Sequence, residues 1–347
     1  MKTALVTGSS GLIGSEAVLH FDRLGYAVVG VDNNMRAEFF GPGGDTCSNL
    51  ERLRRAAKHF EHRDLDIRDR DRVASLVREV RPSAIVHCAA QPSHDLAARR
   101  PFDDFDVNAN GTLNLLEAVR QTARDAPFVL MSSNKVYGDG PNRIEMRETD
   151  TRWVAVDPRF AFGVPETLSI DQCLHSLMGA SKVAADVLTQ EYGRYFGMPT
   201  VCFRAGCLTG PSHAGVELHG FLAYLTACAL SGRPYTVFGY KGKQVRDQLH
   251  AADVVAAIEA FVDAPRVGEV YNLGGGPSNN VSVVEAIALV ERAAATKVTW
   301  TYSPEHRRGD HIWYVSDIRK FTQDYPKWSV TRSLDDIVGD LIAARRS

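Results

Sequence analysis

The chain has 347 residues, enough for one large or two modest domains, with 44% apolar and 24% charged residues, an ordinary globular balance. A formal charge of -2 gives no electrostatic reason to expect nucleic acid or an anionic membrane as partner. The longest uncharged apolar run, Phe221–Leu230, is about half of a membrane span, and the N-terminus lacks a signal peptide's apolar stretch. Six cysteines are scattered without a CxxC pair, which favours reduced thiols in a cytoplasm over a disulfide framework or a zinc site.

In chain order, TALVTG (Thr3–Gly8) reads as a buried strand, followed by a helix from about Leu12 to Leu24 that stops at Gly25. AVVGVD (Ala27–Asp32) is a second strand. FEHRDLD leads into a helix near Arg70–Val80, closed by Arg81-Pro82. AIVHCAA (Ala84–Ala90) and FVLMSS (Phe128–Ser133) are further strands around a helix over Asn108–Thr122. Short apolar strands each followed by a helix predict a doubly wound parallel sheet, an α/β fold of Rossmann type. Beyond Lys182 the pattern loosens. PTVCFR and EVYNLGG read as strands and VSVVEAIALVERAA as a helix, separated by Gly-, Pro- and His-rich loops. The expected division is 1–204 plus about 247–272 for a dinucleotide-binding domain, and about 205–246 plus 273–347 for a smaller α/β substrate-binding lobe.

Between the first strand and first helix, TGSSGLIG places Gly8, Gly11 and Gly14 where a tight turn and a helix N-terminus can receive a pyrophosphate. A lone glycine triplet is weak, and the strand–helix context strengthens it. Asp32 ends the second strand eighteen residues after Gly14. There a carboxylate binds ribose hydroxyls and repels a 2′-phosphate, which selects NAD over NADP. Asp66 fits a polar contact to adenine, with an ordinary strand-end turn as the competing reading. Ala89 and Ala90 are small residues past a strand end, where backbone passes close to a flat cofactor. His87 reads as a core histidine, having no partner at metal spacing. His213, Glu217 and His219 lack the helical spacing of a metal site, so no metal is expected.

TGxxGxxG, Asp32, HCAA, Asn108 with GT behind it, SSNKVYG and GASK together resemble the extended short-chain dehydrogenase/reductase family of nucleotide-sugar epimerases and dehydratases. NKVYGD (Asn134–Asp139), GTLNLLEAVRQ (Gly111–Gln121) and GKQVRDQLHAAD (Gly242–Asp253) look most like its CDP-paratose (CDP-tyvelose) 2-epimerase branch. The resemblance spans essentially the whole chain. It implies NAD as cofactor, held by Gly8, Gly11, Leu12, Ile13, Gly14, Asp32, Asn33, Arg36, Asp66, Ile67, Ala89, Ala90, Asn108 and Lys182. It implies a nucleoside-diphosphate sugar as substrate, met by Ser133, Asn134, Cys207, His219, Arg246 and Arg307, and a homodimer. Two guanidiniums at Arg246 and Arg307 suit a diphosphate. Dehydratases of the family carry Asp-Glu after the serine; Asn134 and Lys135 stand there instead, as in the 2-epimerase branch.

The family's catalytic pair is Tyr-x-x-x-Lys, in which the lysine lowers the pKa of a phenol that serves as base. Lys182 is present, but the tyrosine position holds Met178, which has no titratable proton. Leu177, Cys207 and Thr209 are further departures from the usual pattern. Three explanations stay open. The base is relocated, to Lys135 first, or to His175, a histidine of Ser212–Gly220 or a water held by Ser133; the chain binds without efficient turnover; or methionine was introduced to trap substrate. The function implied is NAD-dependent epimerisation, at C2 of an NDP-hexose through a transient 2-keto sugar. The alternatives are a catalytically impaired homologue and another NAD-assisted sugar modification.

Overall fold

A computed structural model describes residues 1–213, 215–217, 220–305 and 309–346. The first strand, β1 (Thr3–Thr7), runs straight into the glycine loop and helix α1 (Leu12–Arg23). That helix ends at Gly25, whose φ of +82° is costly for any residue with a Cβ. The next strands are β2 (Ala27–Val31), β3 (Phe60–Arg63), β4 (Ala84–His87) and β5 (Phe128–Ser133). Strands Thr200–Ala205 and Glu269–Leu273 complete a seven-stranded sheet in the order Glu269–Leu273, Thr200–Ala205, β5, β4, β1, β2, β3. The pairs β1–β2, β1–β4, β2–β3 and β4–β5 are parallel. This is the Rossmann order, which reverses between β1 and β4 and leaves a crevice at the carboxyl ends of those strands.

The chain divides into two compact units: Met1–Val136, Leu177–Arg204 and Val254–Tyr271; and Tyr137–Ser176, Ala205–Asp253 and Asn272–Ser347. In the first, Leu5, Val29, Ile85 and Phe128 from the sheet pack with Val73, Val77, Leu115 and Val119 from two helices. Burial at about 25 cal/mol per Å² makes this apolar layer the main favourable term in folding that unit. In the second, helices Phe221–Ser231, Val283–Ala294 and Leu334–Arg346 bury Leu222, Leu225, Ile287, Val290 and Leu341 together. Ser282 and Glu285 form a reciprocal capping box that starts the middle helix.

The division differs from the sequence expectation at two segments. Tyr137–Ser176, expected with the first unit, groups with the second. It is tied there by Trp153 N–H donating to Lys243 O (2.9 Å), Val164 N–H to Val315 O (2.7 Å), and Arg152 Nε to Glu285 (2.8 Å). Residues 247–253 also belong to the second unit. Their strand, Val245–His250, pairs with Asn280–Ser282, Trp313–Tyr314 and Cys207–Thr209. The helix expected from Asn108 is a regular α-helix only from Gly111; Asp106–Asn110 is a π-helical turn.

Candidate functional site

In the first unit the glycine loop is shaped by backbone crowding. A Cβ on Gly8 (φ +65°) would lie 2.7 Å from Ala89 N, and one on Gly14 would lie 2.0 Å from Gly8 O. No side chain can be added at either position without moving backbone. Gly11 caps α1 without a side-chain hydrogen bond, so the first-turn N–H groups of Leu12, Ile13 and Gly14 meet no capping acceptor. The hydroxyls of Ser9 and Ser10 are buried beside them with no hydrogen-bond partner among the described residues. Unpaired donors at a helix N-terminus with no room for side chains make a cradle for an anion.

Asp32 sits at the rim of this cradle. One oxygen accepts from Ser10 N (2.9 Å) and the other from Asn34 N (2.8 Å), which fixes the carboxylate with lone pairs to spare. Asn33 is exposed and accepts from Met35 N (3.2 Å). The Arg36 guanidinium lies 4.8 Å from the Phe40 ring centroid, and burial lowers its pKa. Asp66 is clasped by Arg68 through two N–H groups, at 3.1 and 2.7 Å, and Arg68 also reaches Asp103 (3.2 Å). Burial raises the Asp66 pKa, but the Arg68 hydrogen bonds outweigh it and the net shift is downward. Its side chain is therefore already engaged. Ile67 is buried against Gly111, where a Cβ would come within 2.6 Å of it.

Two buried chains of hydrogen bonds cross behind the ends of β1 and β4. Ala89 N–H donates to Thr7 Oγ1 (3.3 Å), and Thr7 Oγ1 meets His87 Nδ1 (2.6 Å). His87 Nε2 meets Thr112 Oγ1 (3.0 Å), which donates to Asn108 O (2.6 Å). Because Thr112 spends its proton on that carbonyl, His87 carries its own on Nε2 and accepts from Thr7 at Nδ1. Burial, aided by Lys182, pushes His87 down to about 3, so the ring stays neutral.

The second chain centres on Asp104. Its carboxylate accepts from Gln91 Nε2 (2.6 Å), Asn108 Nδ2 (3.1 Å) and Ser181 Oγ (2.6 Å). Asn108 also donates to Ser181 Oγ (3.0 Å) and accepts from Gln91 N (2.9 Å). The side chain of Asn108, expected at the cofactor, is thus committed to protein partners. Asn108 and Asp104, four residues apart, share Gln91 and Ser181 as partners. Burial raises the Asp104 pKa, with Ser181, Gln91 and Lys182 opposing it.

Helix Ser176–Phe196 carries Met178, Ser181 and Lys182. Met178 is 4% exposed and Lys182 8%, four residues apart on one helix face. Burial lowers the Lys182 pKa to about 8; attraction to Asp104 and then Cys88 opposes this. One turn on, Asp186 pairs with Arg204 (2.8 Å) and accepts from Ser132 Oγ (2.6 Å) and Gln190 (2.6 Å). At the end of β5 Ser133 Oγ accepts from Lys135 N (3.2 Å); in the 3-10 turn that follows, Asn134 is buried and Lys135 is half-buried.

In the second unit, Arg246 is buried and donates to Asp310 Oδ1 (2.6 Å), Val245 O (2.8 Å) and His311 O. Cys207 is half-buried on a strand paired to Gln248, two residues from the buried Thr209 hydroxyl, which has no hydrogen-bond partner among the described residues. His175 stands 3.5 Å from Cys173 Sγ; burial lowers its pKa while Asp139 raises it. His219 and Arg307 lie outside the described residues. Sequence reading missed Asp104 and Gln91. The available signal was Asp104 four residues before Asn108, on the same helical face.

A family model described as the NAD dependent epimerase/dehydratase family matches residues 4–274. The chain is 33% identical over 339 residues to a CDP-paratose 2-epimerase of Salmonella typhi, covering 96% of each. It is 31% identical over 348 residues to a dTDP-glucose 4,6-dehydratase of Neisseria meningitidis serogroup B, covering 96% of this chain and 86% of that one. Among solved structures, UDP-glucose 4-epimerase from Stenotrophomonas maltophila with bound NAD and formylated UDP-arabinopyranose superposes with TM-score 0.78 at 26% identity, covering 100% of this chain and 98% of that one. The Thermus thermophilus UDP-glucose 4-epimerase complex with NAD gives 0.79 at 25% identity, covering 99% of each.

Proposed function

The chain belongs to the NAD dependent epimerase/dehydratase family, and on that premise we propose that it is an NAD-dependent nucleotide-sugar epimerase that inverts C2 of an NDP-hexose through a transient 2-keto sugar. The observation that carries the reading is the 33% identity to a CDP-paratose 2-epimerase along 96% of both chains. Asn134-Lys135 after Ser133 agrees with it, since neither side chain is the carboxylate an elimination of water would use.

The residues fit NAD. The crowded glycines, the uncapped helix and the partnerless Ser9 and Ser10 hydroxyls suit a pyrophosphate over Gly8, Gly11, Leu12, Ile13 and Gly14. Asp32, with Asn33 and Arg36 beside it, would take the adenosine ribose; Asp66 and Ile67 would flank the adenine, and Ala89, Ala90 and Lys182 the nicotinamide half. NAD, when bound, supplies a reversible hydride acceptor. The resemblance of the motifs implies that Ser133 would orient the sugar hydroxyl, that Arg246 and Arg307 would hold the diphosphate, and that Asn134, Cys207 and His219 would meet the sugar and base. A partner copy would cover Phe102, Phe105, Leu113, Val187 and Tyr195, large apolar residues exposed on helices of the first unit, as a homodimer. Six free thiols suit a reducing cytoplasm. Among the described residues no helix is long and apolar enough to cross a membrane.

A second reading has one observation in its favour: buried Met178 offers no proton where the family places its base, as in a catalytically impaired homologue. The test is to incubate the NAD-loaded protein with CDP-, GDP-, UDP- and dTDP-hexoses and follow the sugars by NMR. A C2-inverted sugar supports the proposal. Loss of water or inversion at C4 contradicts it, and binding of NAD and sugar nucleotide without conversion moves the assignment to the impaired homologue.

A further inference from the structure

Lys182 occupies an unusual place for an amine. It lies on the buried face of helix Ser176–Phe196, with the apolar thioether of Met178 one turn before it. Within its own unit the Lys182 Nζ has no hydrogen-bonded or ion-paired partner among the described residues. The titratable groups acting on it there are Asp104, Cys88 and His87. Burial keeps His87 neutral and pushes the Cys88 thiol up to about 12, so neither supplies charge near neutral pH. Asp186, the next carboxylate on the helix, is taken by Arg204. Asp104 remains, itself fastened by Gln91, Asn108 and Ser181, the residue directly before Lys182.

We propose that Lys182 itself exchanges the proton with the substrate hydroxyl, in place of the missing phenol, and that Asp104 is the positioning residue that sets its proton affinity. The inference rests on the NAD-dependent sugar chemistry proposed above. The balance is simple: with NAD as two-electron acceptor, the sugar C–H leaves as hydride while neutral Nζ takes the hydroxyl proton, giving a ketone and an ammonium. On the reverse step the ketone carbon regains the hydride and the ammonium returns its proton to the oxygen. A buried amine is a suitable base because desolvation favours its neutral form, and burial here brings it down to about 8. Lys135 is half-buried, whereas Lys182 is 8% exposed, so Lys135 is the less enclosed of the two amines.

The experiment uses the full-length, NAD-loaded protein with side-chain-labelled lysine. NMR titration of the wild type against Lys182→Met identifies the Lys182 signal. The expected result is an amine titrating near 8, shifted lower in Asp104→Asn, with the acid limb of kcat following the same value in both proteins. In Lys182→Ala, added small primary amines restore turnover in proportion to their basicity, which a purely structural lysine would not allow. The inference is overturned by a Lys182 that titrates above 10, by an Asp104→Asn variant that leaves its titration and the pH profile unmoved, or by turnover that persists in Lys182→Met. If the amine titrates near 8 but no nucleotide sugar in the panel is turned over, the functional reading fails, and this inference falls with it. Turnover together with an ordinary lysine leaves the reading standing and removes the inference alone.

Discussion

Two buried carboxylates, Asp186 on helix Ser176–Phe196 and Asp104 hydrogen-bonded to its Ser181, are used in opposite ways. Asp186 meets a guanidinium at 2.8 Å, a serine hydroxyl and a glutamine amide, so its charge is neutralised locally and it locks the helix to the sheet. Asp104 meets three neutral donors, and the cation acting on it is Lys182. An acid fully paired by its neighbours stabilises a fold. One held by neutral donors leaves part of its field for an adjacent group. The comparison separates residues that hold the helix from residues that tune it.

Breaking the first arrangement should have the largest effect. Arg204→Met leaves Asp186 buried without its cation and is expected to cost about 3–5 kcal/mol, read as a fall in denaturant midpoint. The second arrangement should show in the pH dependence of stability. The folded Lys182 pKa of about 8 lies below its ordinary value of 10.5, so between these values the unfolded chain binds more protons. Wild-type stability, measured against Lys182→Met, is therefore expected to rise from about pH 8 to 10.5 and to be flat below; a falling difference would contradict the buried amine. Ser132→Ala removes one buried hydrogen bond to Asp186 and should cost about 1 kcal/mol by thermal unfolding, with the kcat pH profile unchanged. The smallest effect is expected at Lys135→Met, about twofold or less in kcat if Lys182 is the base. A loss of about 100-fold or more would return that role to Lys135.

The first strand–loop–helix unit was legible in the sequence because its signals are local. Apolar strand runs, glycines with backbone reasons and Asp32 at a strand end all lie within about thirty residues. Met178 and Lys182 were legible as a pair because helical spacing alone sets them on one face. The Asp104 cluster was legible only in its local pair with Asn108, since Gln91 and Ser181 meet it only after the fold brings them together; Ser181 is 77 residues away. The grouping of Tyr137–Ser176 with the second unit was hidden for the same reason. Its ties to Lys243, Glu285 and Val315 cross about 90 to 150 positions of sequence, which no periodicity records.

The central claim is an internal hydride transfer at C2, and solvent deuterium tests it most directly. The NAD-loaded protein is given the nucleotide sugar it converts in deuterated water, and the product is examined by NMR at each ring carbon. The account predicts a C2-inverted sugar with no deuterium at C2, because the hydride that leaves that carbon is the one that returns. Deuterium at C2 would mean that a carbon-bound proton had exchanged with solvent, and the route through a 2-keto sugar and returning hydride would be wrong.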